Sequence, residues 1–248
     1  MKAFLNYLWI QFKMDLRDRG TLLNFYLVPL VFFFVMGAVF SSVTPLMKTT
    51  LAATMTIFAI TMGAVMGTPS PLVKMRESGT MRAFKVNGIS ASAILTVQAL
   101  SAFIHLFLVA VIIYFVSPLV FHSQLPVSAG AYFAIVAIYL LACIGIGLLI
   151  GVIAPNQSTT TMFSMIVFLP SLLLSGIMFP ANMLPAALMW LGRLFPATYA
   201  LQSFSGLAFH LSTDINAAFS LILVATFCVI MFILAFLQLN NIRKNEQM

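Results

Sequence analysis

Charge is in short supply in this sequence: Asp, Glu, Lys and Arg make up 7% of its 248 residues, against about 25% in a typical soluble domain. None occurs between Val86 and Gly192. So few charges cannot coat a water-facing surface. A charge at mid-bilayer costs roughly 2.5–3.5 kcal/mol on insertion scales, so a long charge-free run points to lipid as the surrounding solvent. Cysteine is scarcer still, with two residues. Cys143 and Cys228 fall inside apolar stretches, which gives no sign of a disulfide framework and suits small apolar packers. The histidines His105, His122 and His210 are far apart and in no metal-ligand spacing. The chain also lacks His-Glu-x-x-His, Gly-x-Ser-x-Gly and paired intramembrane carboxylates, which leaves a membrane enzyme poorly supported. Gly-x-x-x-x-Gly-Lys-Ser/Thr is absent, so ATP binding through a P-loop in this chain is excluded. Proton-driven transport needs an ionisable group near the bilayer centre. The five acids, Asp15, Asp18, Glu77, Asp214 and Glu246, lie at the ends of apolar runs or between them, leaving His105 as the only titratable candidate within one. Its simplest reading is a neutral imidazole bonded to a neighbouring helix.

What is present is apolar sequence in span-length pieces. A membrane-crossing helix needs about 20 mostly apolar residues. Six such runs are expected, at 22–41, 51–68, 91–117, 130–153, 161–179 and 217–239. Turn chemistry separates them at Thr44-Pro45, Ser117-Pro118, Gln124-Leu125-Pro126 and Pro155-Asn156-Gln157. The fold class is therefore an all-α integral membrane protein, read as a single membrane domain over 1–248. Gly63-x-x-x-Gly67 and Gly147-x-x-x-Gly151 each put two glycines on one helix face, where close packing within the bundle is the plainer reading and a subunit interface the sharper one. Ahead of the first run, Phe4, Leu5, Leu8, Trp9, Phe12 and Leu16 share a helical face about 140° wide, with Lys13 and Arg17 opposite. Residues 1–20 thus read as an amphipathic helix lying in the membrane interface, with Asp15 at the edge of its apolar face and no cleavable signal peptide.

The net charge of +7 is distributed as a topology signal rather than a nucleic-acid footprint. With six spans, Lys2, Lys13, Arg17, Arg19, Lys74, Arg76, Arg82, Lys85, Arg243 and Lys244 fall on one side and only Lys48 and Arg193 on the other. Both termini and the loop at 70–90 are then expected in the cytoplasm. That loop mixes four bases and one acid with Met81, Phe84, Val86 and Ile89, which fits a short amphipathic helix opened near Gly79-Thr80 and stopped by Asn87-Gly88. On residues alone it suits a lipid-bound helix and a protein-docking helix equally. The segment 180–214 is apolar but cut by Pro180, Pro185 and Pro196 into pieces too short to cross. It is expected to form a helical hairpin dipping into the outer leaflet, which is tolerated where the backbone is buried in protein or lines a wet cavity.

Arg76-Glu77-Ser78-Gly79-Thr80-Met81-Arg82 resembles the Arg-Glu-x-Gly-Thr-Leu/Met element of ABC-2-type transporter membrane subunits. Leu174-Ser175-Gly176-Ile177-Met178-Phe179-Pro180, then Leu184-Pro185 and Leu194-Phe195-Pro196-Ala197-Thr198-Tyr199-Ala200, are similar to that family's fifth span and extracellular re-entrant hairpin. The resemblance extends over essentially the whole chain, and the Glu-Ala-Ala…Gly loop of ABC importers is absent. It implies the permease of an ATP-driven exporter with no catalytic residue, cofactor or metal of its own. ATP and Mg would belong to two copies of a separate ATP-binding subunit, and a second permease copy, identical or a close paralogue, would complete the pathway. The resemblance assigns ATPase coupling to Arg76, Glu77, Gly79, Thr80, Met81 and Arg82, and a hairpin gate to Gly176, Phe179, Pro180, Pro185, Pro196 and Tyr199. It also implies a bacterial plasma-membrane location among membrane lipids, with no nucleic-acid partner. The spans carry aromatics, methionines and hydroxyls but no fixed charge, which favours an amphipathic or drug-like cargo. Polysaccharide or lipid-linked glycan export, and an ATP-independent carrier or channel, are the alternatives.

Overall fold

The structure, a computed structural model, describes residues 2–43, 48–179 and 183–245. The expected turn at Thr44-Pro45, together with Pro180 and Glu246, lies outside the described residues. Among those described, every regular element is helical. The elements are α1 (Lys2–Arg17), α2 (Arg19–Ser42), α3 (Leu51–Glu77), α4 (Thr80–Val86), α5 (Ala91–Phe121), α6 (Ala129–Ile153), α7 (Gln157–Leu174), α8 (Ala186–Gly192), α9 (Pro196–Ser203) and α10 (Ala217–Asn245). Six of them, α2, α3, α5, α6, α7 and α10, are long and apolar enough to cross a membrane.

Three boundaries differ from the sequence expectation, each for a local reason. Helix α5 does not stop at Ser117-Pro118 but runs to Phe121. A proline in a last turn removes a single helical bond, and the left-handed His122 ends the helix instead. Helix α3 continues past Thr68 to Glu77 through a widened turn at Gly63–Gly67, after which Pro69 occupies a first-turn position that needs no donor. Helix α7 starts early, capped by Asn156 Oδ1 accepting from Thr159 N at 2.9 Å. It ends at Leu174 rather than Phe179, because Gly176 turns the chain at φ +84°.

Helices α3 and α6 form the centre. Helix α3 is almost wholly buried, whereas α2, α7 and α10 turn most of their surface outward. The central pair is joined by buried hydrogen bonds, Thr56 Oγ1 to Tyr132 OH at 2.7 Å and Thr61 Oγ1 to Tyr139 OH at 2.5 Å. In membranes such bonds are worth about 0.6–2 kcal/mol each. Ser164 Oγ on α7 donates to Val65 O at 2.7 Å, satisfying a carbonyl in the widened turn of α3. Both glycine pairs pack within the chain. A Cβ on Gly147 would sit 2.3 Å from Ala64 O, one on Gly151 3.1 Å from Pro69 O, and those on Gly63 and Gly67 would strike Leu106 and Phe25.

Helix α1 has a third face that its hydrophobic pattern conceals. Phe4, Leu5, Trp9 and Leu16 are exposed, as an interfacial helix requires, but Gln11 and Asp15 are buried against α5. Asp15, only 4% exposed, accepts from Gln11 Nε2 at 2.8 Å and from Ser101 Oγ at 2.6 Å. It is therefore a docking residue, not an acid lying free beyond a span. His105 Nε2 lies 3.9 Å from the same carboxylate, Tyr26 OH on α2 bonds His105 Nδ1 at 2.5 Å, and Phe12 stacks on the imidazole. His105 is thus interhelical polar glue, joining α1, α2 and α5. Ser101 is the eleventh residue of α5, so about 15 Å of that helix precedes its contact with Asp15 at 1.5 Å per residue.

Burial pushes the Asp15 carboxyl above its ordinary range, against the hydrogen bonds from Ser101 and Gln11. A carboxyl with a raised folded pKa holds its proton more tightly when folded. Its contribution is therefore fully present below the unfolded value, and declines as pH rises through the raised one. Asp15→Asn should flatten this component: the difference in thermal midpoint between variant and wild type should grow in the variant's favour with rising pH across the acidic range. Asp15→Leu strands Gln11 and Ser101 and should lose roughly 1–3 kcal/mol. Parallel pH profiles for wild type and Asp15→Asn would contradict the docking account.

Candidate functional site: the loop at one end and the cavity at the other

Helix α4 is bracketed by Gly79 at φ +73° and Gly88 at φ +78°. Both are left-handed positions that side chains rarely adopt, and neither would strike a neighbour through a Cβ, so conformation rather than space requires glycine there. Ser78 Oγ and Thr80 Oγ1, 2.8 Å apart, close the first of these turns. The inner side of α4 is anchored. Phe84 meets Tyr7 of α1 edge-on at 5.5 Å, and Met81 packs against the core. Burial pushes the Tyr7 hydroxyl up to about 12, with the Asp15 charge adding to it, so Tyr7 serves as a neutral ring.

The residues before α4 hold it to the bundle. Arg76 turns inward: its guanidinium donates to Val152 O at 2.9 Å and to Ala154 O, at the C-terminal end of α6. A cation there satisfies open carbonyls and complements the helix dipole. Glu77 Oε1 accepts from Gln157 N at 3.3 Å, at the start of α7, while the rest of its side chain is exposed. Gln157 also exchanges two 2.8 Å bonds with Ser70. Lys74 approaches Asp18 at 3.8 Å, and Asp18 caps α2 by accepting from Thr21 N and Oγ1. Burial raises the Asp18 carboxyl, but the Thr21 bonds and the Lys74 charge outweigh it and hold the group below its usual range. That cap is present above the ordinary carboxylate pKa and is lost as pH falls through the depressed value.

Among the described residues, the outer side of α4 has no partner in the fold. Arg82, Ala83 and Asn87 are exposed, and Val86 is 87% exposed. Leu239, near the end of α10, lines the same hollow as Arg76, Met81 and Arg82. Helix α1, the α4 loop and the end of α10 therefore share one end of the bundle.

The opposite end carries the other sequence-predicted group. Gly176 follows α7, Pro185 precedes α8, and Pro196 opens α9, whose Pro196, Ala197, Ala200 and Ser203 are buried. Tyr199 is half-buried on α9, and Phe179 is exposed. Gly192 lets α8 approach closely, since a Cβ there would lie 2.2 Å from Leu174 O. Gly176 borders a cavity of about 530 Å³, whose wall includes Phe40, Ser175, Arg193, Gln202 and Asp214. Phe179, Pro185, Pro196 and Tyr199 do not line it. Sequence reasoning missed this cavity because Arg193 registers only as a vote on topology. It missed the Asp15–Ser101–His105–Tyr26 cluster because its members come from three helices. The one usable signal was an acid at the edge of an apolar face.

Residues 2–209 match the ABC-2 type transporter family, and the chain belongs to that family: it is an ABC permease, a transport subunit that is not itself catalytic. The match ends before α10. A comparison with curated proteins found no matching relative.

Proposed function

We propose that this chain is the membrane subunit of an ATP-driven exporter, and that α4 is the coupling helix on which a separate P-loop ATPase docks. The observation that carries this reading is the two-sidedness of α4. Its inner residues are fixed to α1 and the bundle while Arg82 and Val86 project into the medium. In this reading Glu77, Gly79, Thr80, Met81 and Arg82 form the docking element and Arg76 positions it.

The end holding α1, α4 and the C-terminal part of α10 faces the cytoplasm of a bacterial cell, following the excess of basic residues there. Residues 1–248 work as one membrane domain, and the helices α8 and α9 form a hairpin dipping into the outer leaflet. The ABC-2 family normally works with an ATP-binding subunit; two copies of each subunit make the transporter, and ATP with Mg binds only the ATPase. Binding of ATP moves the permeases as fairly rigid bodies, provided one arrangement binds it better. The cargo is amphipathic or drug-like. Reconstitution into liposomes tests the proposal: ATP-dependent movement of such a cargo should require both chains, and movement by the permease alone would replace this reading with a carrier or channel.

A further inference from the structure

The outer cavity contains two opposite charges that do not neutralise each other. Arg193 and Asp214, the latter exposed, both line it, yet no ion pair joins them, and neither forms an ion pair with another described side chain. Arg193 lies over the Trp190 ring at 4.1 Å and is only partly exposed. The nearby hydroxyls of Thr54 and Thr198 bond the carbonyls of Thr50 and Gly192. Ser175 Oγ does not: the residue is 3% exposed, and its hydroxyl has no hydrogen-bond partner. A buried unpaired hydroxyl is unfavourable unless a ligand or water meets it. The remaining wall mixes apolar Phe40, Leu174 and Leu201 with polar Gln202, Ser205 and Thr213. Its volume of about 530 Å³ falls within the range of small-molecule sites.

We infer that this cavity binds a zwitterionic amphiphile, its anionic group at Arg193, its cationic group toward Asp214 and its apolar part against Phe40 and Leu201. An amphiphile of single charge leaves one of the two residues unmatched, and a neutral one leaves both. A phospholipid with a zwitterionic headgroup and a zwitterionic cargo leaving the transporter share this chemistry. Occupancy of the cavity does not depend on α4 or on an ATPase, so the inference stands apart from the coupling proposal.

Trp190 is a built-in reporter, since the only other tryptophan is Trp9. The full chain carrying Trp9→Phe is purified in a nonionic detergent and titrated, following Trp190 fluorescence. The probes are lysophosphatidylethanolamine, lysophosphatidylglycerol and an alkyltrimethylammonium of similar chain length. The zwitterion should bind at least about tenfold more tightly than either singly charged probe. Asp214→Asn should bring zwitterion and anion to near parity, and Arg193→Gln should do so for zwitterion and cation. Ser175→Ala, which leaves both charges in place, should weaken the zwitterion without changing these preferences. Equal binding of all three probes, or preferences unmoved by both charge variants, would overturn the inference. Mass spectrometry separates the sources: a zwitterionic phospholipid retained by wild type and lost from Arg193→Gln identifies a membrane lipid, while wild type that retains no phospholipid yet binds the added zwitterion identifies a cargo. Either outcome supports the site.

Discussion

Glu77→Lys is expected to lower cargo-stimulated ATPase activity of the reconstituted complex by about tenfold or more while leaving membrane insertion and thermal stability nearly intact. In the fold, Glu77 makes one hydrogen bond, at the start of α7. Replacing that acid with a cation at a helix N-terminus costs only about 0.3–1 kcal/mol, too little to unfold a bundle whose core lies elsewhere. If the exposed part of Glu77 meets a basic group on the ATPase, reversing its charge removes an interfacial pair, a loss of about 2–5 kcal/mol. The adjacent residue provides the contrast. Arg76→Ala deletes two charge-assisted bonds to the end of α6, each worth about 1.5–3 kcal/mol, and should lower the melting temperature along with activity. Loss of activity without loss of stability at 77, and loss of both at 76, separates docking from anchoring. Stability losses of equal size would contradict that separation.

Gly147→Val should be among the most destructive single substitutions in the bundle. A Cβ at 147 would lie 2.3 Å from Ala64 O and 3.0 Å from Thr68 Cβ, and the first obstacle is backbone that cannot rotate away. Overpacking usually costs about 1–3 kcal/mol. A carbonyl fixed in the centre of the bundle should push the loss to the upper end of that range or beyond. At Gly63 the obstacle is the end of the Leu106 side chain, and at Gly130 nothing lies within 4 Å. Alanine at 130 should therefore be tolerated, alanine at 63 should lower the melting temperature modestly, and Gly147→Val should yield little monodisperse protein. Because Gly151 sits against Pro69 on the same contact, the weakened variants should also uncouple the α4 loop. Equal tolerance at 63, 130 and 147 would mean that α3 and α6 do not approach as described.

The six spans were legible because lipid imposes one rule, about 20 apolar residues per crossing, and the sequence obeys it between clear breaks. Their ends were less legible. Pro118 reads as a stop, yet in the final turn a proline interrupts little, and Pro69 reads as a break but starts a new turn after a widened one. The α4 loop was readable as a short helix between glycines, since Gly79 and Gly88 carry a local backbone requirement. The inward direction of Arg76 was not, because it depends on where α6 ends in space. Asp15 looked like a flaw in an amphipathic helix until Ser101 and Gln11 were found around it. The charges of the outer cavity were invisible for the same reason: Arg193 and Asp214 belong to the segments flanking α9, and only packing brings them to one cavity wall.

The most direct test of a docked coupling helix is site-specific photo-crosslinking from position 86 in intact membranes, where the fold leaves valine 87% exposed. The expected adduct joins this chain to a polypeptide bearing a P-loop, and Arg82→Glu should diminish it. Crosslinking to lipid alone, in membranes where transport continues, would contradict the account.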